Sequence, residues 1–536
     1  MSLIFKFITT TSLVLGALAS GMALSQEKNC DQSEKIQFIT HDIFDPTEPD
    51  TIFLHRWANF LHIKTQPIAL INESAFFIHK CQIRDEDLQE LERYLRGKRF
   101  VRDAKVTSTP EEKIEIETWD NWSLMPTVDL GRKGGKNQYA LGFQDRNLLG
   151  LGINAEVEYF SNDQRTGYKF KTQFPLYLNN NINAKIRLTS NDDGTSEAIF
   201  LQREFVSFDT QHAFKFGFDN FDQVDTMYEN GLQSEQYRHQ LQYSTVDWQW
   251  LHKDTAKDTL RFGLGYTREI HSFAELDEPN LSSNLNPQIL PTDRSFNYPF
   301  VSVEYLQKDY RKLTNLNVIN HIEDFNLGWN ASASVGSDFS QSDASPALIW
   351  QSHLSKGVDL LNDAFWLFEA SFEGEIYDNN LVQNRMLLQL NAEYFHKFNE
   401  NWGGYFKNAN HFSKNQFLDS PVALGGESGV RGYPLQYQHG KHSTQFTFEA
   451  RYYPQINIYK LLELGGAAFI DTGRVFGQTD LSQNDSPWMT SVGLGARFYP
   501  THSSESRVIH LDIIKPLTSA PNVNGVEFRI TTKHTF

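Results

Sequence analysis

The sequence predicts a mainly-β protein: a transmembrane antiparallel β-barrel of about 16 strands, preceded by a small α+β module. Three observations carry this expectation. The chain has 536 residues and is 40% hydrophobic but 13% aromatic, with 41 Phe, 21 Tyr and 10 Trp; that is too aromatic for a disordered chain. After residue 25 no run approaches 18 consecutive apolar residues, so helical spans are excluded, whereas a barrel needs apolar residues only at alternate strand positions. From Trp119 to the end, apolar and polar residues do alternate with period two. The balance of 49 basic against 66 acidic side chains, a formal charge of −17, argues against nucleic acid as a partner, since such binders are basic.

Taken in order, the chain begins with Lys6 and an apolar run from Phe7 to Leu24, closed by Ala23-Leu24-Ser25. Residues 1–25 read as an export signal with a peptidase site; a short membrane anchor is the competing reading. Cys30 and Cys81 are the only two cysteines. An exported compartment permits a disulfide between them, but spacing alone leaves the pairing open. No metal-type cysteine spacing occurs, and no metal site is expected.

Residues 26–120 differ in pattern from the rest. Lys35–Phe44 is strand-like, and Phe53–Leu61 places Phe53, Trp57, Phe60 and Leu61 at helical spacing. Pro67 can open a short helix carrying Ile68, Leu70 and Ile71. Arg84–Arg96 is the clearest helix: Leu88, Leu91 and Leu95 form one stripe, Asp85 to Asp87 sit at the positive end, and Gly97 supplies the stop. Val101–Thr107 and Lys113–Thr118 follow as strands. The run from Cys81-Gln82-Ile83 through this helix to Phe100-Val101-Arg102-Asp103-Ala104-Lys105-Val106 resembles a POTRA (polypeptide-transport-associated) domain. That resemblance implies a periplasmic module whose strand edge recruits an extended client by β-augmentation. A spacer that plugs or props a pore is the alternative.

Residues 121–536 form the barrel region. Val526, Phe528 and Ile530 alternate with Glu527, Arg529 and Thr531, after the turn signal Asn524-Gly525. Leu511 and Ile513 alternate with His510 and Asp512, while Phe446, Phe448, Ala450 and Tyr452 oppose Gln445, Thr447, Glu449 and Arg451. A soluble sandwich would also alternate, with its apolar face inward. The scale of the β-region and the absence of helices favour the barrel. Sixteen to twenty segments read as strands; several between Asp277 and Asp363 read equally as long surface loops, and Ala274–Asn297 as a loop outright.

One constellation stands out. Leu424-Gly425-Gly426-Glu427-Ser428-Gly429-Val430-Arg431-Gly432-Tyr433-Pro434 holds four glycines, which permit a tightly folded loop. Arg431 suits a lumen, where its guanidinium can grip a carboxylate. The strand ending in Phe469-Ile470-Asp471-Thr472-Gly473 turns Glu463, Phe469 and Asp471 inward by parity, as does Glu449 on the strand before it. Val430-Arg431-Gly432-Tyr433 resembles the loop signature of the BamA/TamA superfamily (bacterial surface antigen barrels), and Phe469 to Gly473 resembles the strand motif that meets it. The resemblance implies that the loop folds back into the barrel and that Arg431 contacts Asp471. It also implies a barrel-assembly signal at the terminal Phe536. Family members carry two to five POTRA modules, and this chain shows one. Whether Arg431 serves a client or only braces the barrel stays open.

No nucleophile elbow, zinc-protease helix motif or phosphate-cradling loop is present, so no enzyme and no cofactor are expected. The resemblance implies a protein of a Gram-negative outer membrane that inserts or exports client polypeptides through or beside its barrel. Its partners would be the lipid bilayer, the client and periplasmic accessory proteins. A secretion pore for a partner exoprotein, or a passive channel, is the alternative.

Overall fold

The structure, a computed structural model, describes residues 33–533 apart from 50, 110–112, 134–135, 179–180, 277–289, 320–321, 340–344, 362, 379–381, 427–428, 479–485, 505–506 and 520. The expected export signal, Cys30 and Phe536 lie outside the described residues. Cys81 is disulfide-bonded.

The N-terminal domain follows the anticipated order closely. Strands Ile36–His41, Val101–Ser108 and Ile114–Asp120 make a three-stranded sheet with the last in the centre. The first strand pairs with it in parallel and the second antiparallel. Helices Phe53–Leu61, Pro67–Glu73, Ala75–Ile78 and Asp85–Arg96 come between. Leu91 and Leu95 are fully buried against Phe77, Val101 and Ile116, so the stripe read from the sequence is the core. Asp87 caps its own helix, accepting the Arg84 backbone N–H at 2.8 Å and the Lys80 ammonium at 2.7 Å. Lys98 faces Glu73 and Tyr94 in a buried cluster. Burial pulls its pKa down, but the Glu73 carboxylate outweighs that and holds Lys98 above the ordinary lysine range.

From Leu124 onward the described residues form a closed antiparallel barrel of 21 hydrogen-bonded strands. One of these, Asn457–Ile458, is a two-residue fragment. Part of the excess over the expected 16 is that Arg294–Gln307, Asn330–Gly336 and Leu348–Leu361 are wall strands, not surface loops. Residues 294–297 of the expected loop also belong to the wall. Among the described residues no helix is long and apolar enough to cross a membrane.

Burial decides between barrel and sandwich. Leu494 is 66% exposed and Phe528 63%, while Asp471 and Arg497 are fully buried. Apolar side chains face out and charged ones face in, the arrangement of a barrel in lipid with a polar interior.

Wall height is uneven. His212–Glu229, Leu232–Asp254 and Asp258–Ala274 run 18, 23 and 17 residues. Near the closure of first strand on last, Val508–Pro516 runs 9 residues and Leu124–Lys133 runs 10, much as the strands from Ile153–Ser161 to Thr195–Arg203 do at 9 to 10. Since about 9–11 residues cross a bilayer, these strands match its thickness and the tall side projects well beyond.

Both mouths are obstructed. At the end carrying the N-terminal domain, the connection between Arg294–Gln307 and Asn330–Gly336 holds a hairpin of Tyr310–Thr314 and Ile322–Asn326. Its tip crosses to the closure side, burying Val318 and Ile319 against Tyr453, Tyr499 and Val508. The N-terminal domain sits on that insertion: Arg96 pairs with Asp324 at 3.1 Å, and the Arg93 guanidinium lies 4.2 Å over the Tyr310 ring. At the far end, residues 415–441 fold into the barrel.

Candidate functional site: a lumenal arginine clasp

Residues 415–441 link strands Trp402–Lys414 and His442–Tyr452 and form their own two-stranded patch, Val422–Leu424 with Gln438–Gly440. Glycine makes the fold possible at two points above all. Gly425 has φ +123°, and a Cβ there would lie 2.3 Å from the Pro434 carbonyl oxygen. Gly432 has φ +89°, with Ile514 and Pro516 of the wall where a side chain would stand. Gly426 and Gly429 also hold positive φ. Leu424, Val430, Tyr433 and Tyr437 then bury themselves with Val475 and Met489. The Tyr433 hydroxyl donates to the Thr490 carbonyl at 2.9 Å.

This apolar anchor delivers Arg431. Its Nε and Nη2 donate to the two Asp471 oxygens at 2.5 and 2.8 Å, and its backbone N–H reaches Oδ2 at 3.4 Å. The guanidinium also meets Glu449 at 3.0 Å and lies 3.4 Å over the Phe469 ring. Gly473 leaves room for the loop, since a Cβ there would press on Val430 and Leu424. The structure therefore brings Gly425, Gly426, Gly429, Val430, Arg431, Gly432 and Tyr433 together with Phe469, Asp471, Gly473 and Glu449. Glu463 is buried on the same face and pairs with Asn457 at 2.6 Å, outside the clasp.

Sequence reasoning missed other members. Thr447 donates to Asp471 at 2.9 Å. Arg451 approaches Glu449 at 3.1 Å and donates to the Leu316 carbonyl of the opposite insertion at 2.9 Å. Arg497 and Asp512 form a fully buried pair at 2.6 Å on the next strands. Strand parity already turned Thr447, Arg451, Arg497 and Asp512 inward. What the sequence lacked was a reason to join them to the loop, because register between distant strands is a tertiary fact.

A buried, bidentate, ring-stacked arginine fixes a loop in one place. It offers no nucleophile and no general base; the chemistry it supports is mechanical.

Among proteins of known structure, three resemble the chain at low identity. BamA from Haemophilus ducreyi lacking POTRA domains 1–3 is 11% identical, with 93% of this chain and 84% of that one covered, at a TM-score of 0.41. CdiB from Acinetobacter baumannii is 11% identical over 88% and 72% at 0.44. CdiB from Escherichia coli is 12% identical over 93% and 76% at 0.47. No protein-family model and no curated protein matches the sequence.

Proposed function

We propose that this is an outer-membrane barrel of the BamA/TamA kind that handles client polypeptides, inserting or exporting them, and carries out no covalent chemistry. The observation that carries the reading is a plug in each mouth of the barrel, the 415–441 loop at the far end and the insertion after Arg294–Gln307 at the near end. A passive channel needs an open bore; here the far loop is locked by Arg431 and Asp471, and the near insertion is packed against Tyr453 and Tyr499. The seam of the wall lies between its first strand, Leu124–Lys133, and its last, Glu527–Lys533. An imperfectly held edge can exchange its hydrogen bonds with an incoming strand. The N-terminal sheet adds two edges, Ile36–His41 and Val101–Ser108, that suit an extended client before insertion. With the POTRA-like module on the periplasmic side, client folding itself supplies the driving free energy.

The test is a pair of engineered cross-links, read by client insertion or export. One ties Leu124–Lys133 to Glu527–Lys533 and forbids lateral opening. The other ties the 415–441 loop to Leu462–Phe476 and forbids emptying of the lumen. Lateral handling expects the first lock to stop client handling and the second to leave it intact. The reverse result assigns export through the lumen, and unimpaired work by both locked forms refutes the proposal.

A further inference from the structure

The Phe53–Leu61 helix is inside out. Its buried positions are His55 and Ala58, while Phe53, Leu54, Trp57, Phe60 and Leu61 all face outward, Phe60 with 83% of its surface exposed. Ile63, Ile68 and Ile71 continue the exposed apolar surface beyond it. A soluble domain would bury such a stripe; a patch of this kind marks a surface that something apolar covers.

The helix is also fixed firmly in place. His55 donates from Nε2 to the Tyr459 carbonyl at 2.7 Å, and its ring stacks on Phe44 at 4.2 Å. Ala58 packs with Ile43, Phe44, Trp122 and Leu461. Trp57 meets Trp122 edge-on at 6.2 Å. These contacts dock it on the wall's end turns, beside the closure. On the adjoining turn of the barrel, Tyr459, Ile458 and Ile456 are exposed as well. Above that turn the outer wall presents an apolar recess formed by Gly466, Ala468, Gly495 and Ala496. Charge points the same way. In a chain of formal charge −17, residues 53–64 contain no acid and carry Arg56 and Lys64.

We propose that Phe53–Leu61 is a membrane-interface helix, its apolar face set at the headgroup–acyl boundary of the leaflet nearest the N-terminal domain. Arg56 would lie level with anionic headgroups. The inference rests on the reading of the barrel as membrane-embedded. It places a wedge of aromatic side chains in the bilayer beside the closure of the barrel. A protein partner covering the same face is the competing occupant.

The full chain is reconstituted in bilayers containing lipids brominated near the headgroup, with an environment-sensitive fluorophore at one introduced cysteine: Phe60→Cys, Phe53→Cys, Glu86→Cys on the exposed start of the Asp85–Arg96 helix, or Phe528→Cys on the outer wall. Because an interface helix sits about 5–10 Å into the boundary, quenching at 60 and 53 should fall within about two-fold of that at 528 and be absent at 86. Quenching at 528 but at neither 60 nor 53 overturns the inference and leaves the membrane reading standing. No quenching at 528 overturns both. Equal quenching at 86 and 60 also overturns it, since the domain would then lie on the bilayer without a preferred face.

Discussion

The tall wall and the low wall of this barrel are stabilised in different ways. Across His212–Ala274, long registers hold strand to strand, and lumenal charges pair within the same wall. Arg261 and Glu304 are direct register partners at 2.8 Å, and Arg187 reaches Asp219 two strands away at 2.6 Å. The lower wall, from His442 to Lys533, has strands of 15 residues or fewer and a denser set of buried charges. It is supported by pieces of chain from elsewhere: the glycine loop at the far end, the insertion across the near end, and the N-terminal domain beneath. Ladder length and docked segments are alternative ways to order a strand, and only the second can be withdrawn.

The comparison breaks most visibly at the clasp. Replacing Arg431 by Ala strands Asp471, which is fully buried, and removal of one partner of a buried pair costs about 3–5 kcal/mol. The expected outcome is proteolytic sensitivity of residues 415–441 and a lower melting temperature. Gly432→Val tests the same docking without touching charge. Positive φ and the contact with Ile514 should cost roughly 1–3 kcal/mol, read by the same protease assay. At the near end His502 stacks on Phe44 at 4.5 Å, and burial, aided by Arg102, pushes its pKa down to about 3. Its folded value lies below its unfolded one, so this contribution is complete above about pH 6.5 and is lost as pH falls toward 3. By pH 5 the contact between domain and barrel should weaken by about 1–2 kcal/mol, measurable as faster amide exchange in Phe53–Leu61. The smallest effect belongs beside the tall wall: Arg187→Ala, on the neighbouring strand Ile182–Asn191, removes a part-exposed pair with Asp219 and should cost no more than about 1 kcal/mol. A loss there as large as that at Arg431 would erase the distinction.

Much of this was legible in the sequence. Phe53–Leu61 has the boundaries that helical spacing predicts, and the Leu91 and Leu95 stripe is the domain core. Inward parity at Glu449, Phe469 and Asp471 follows from period two alone. Strand count was less legible between residues 294 and 361, where Ser, Asn and Asp serve equally in loops and on a lumenal face. The direction of the Phe53 stripe was invisible for a related reason. Hydrophobic periodicity gives the angle between two faces of a helix but not which solvent lies on either side. The insertion between residues 307 and 330 carried no signal at all, since its value lies in what Leu316 and Val318 meet across the barrel.

Glu449 takes Arg431 from the far loop on one side and Arg451 on the other, while Arg451 holds the Leu316 carbonyl of the near insertion. One carboxylate thus stands between two doors. Arg451 shares the strand His442–Tyr452 with Glu449 and stays in place when either door moves; withdrawal of Arg431 leaves the Glu449 carboxylate to Arg451 alone. Far loop and near insertion therefore rest on neighbouring side chains of one strand, though they enter from opposite ends of the molecule.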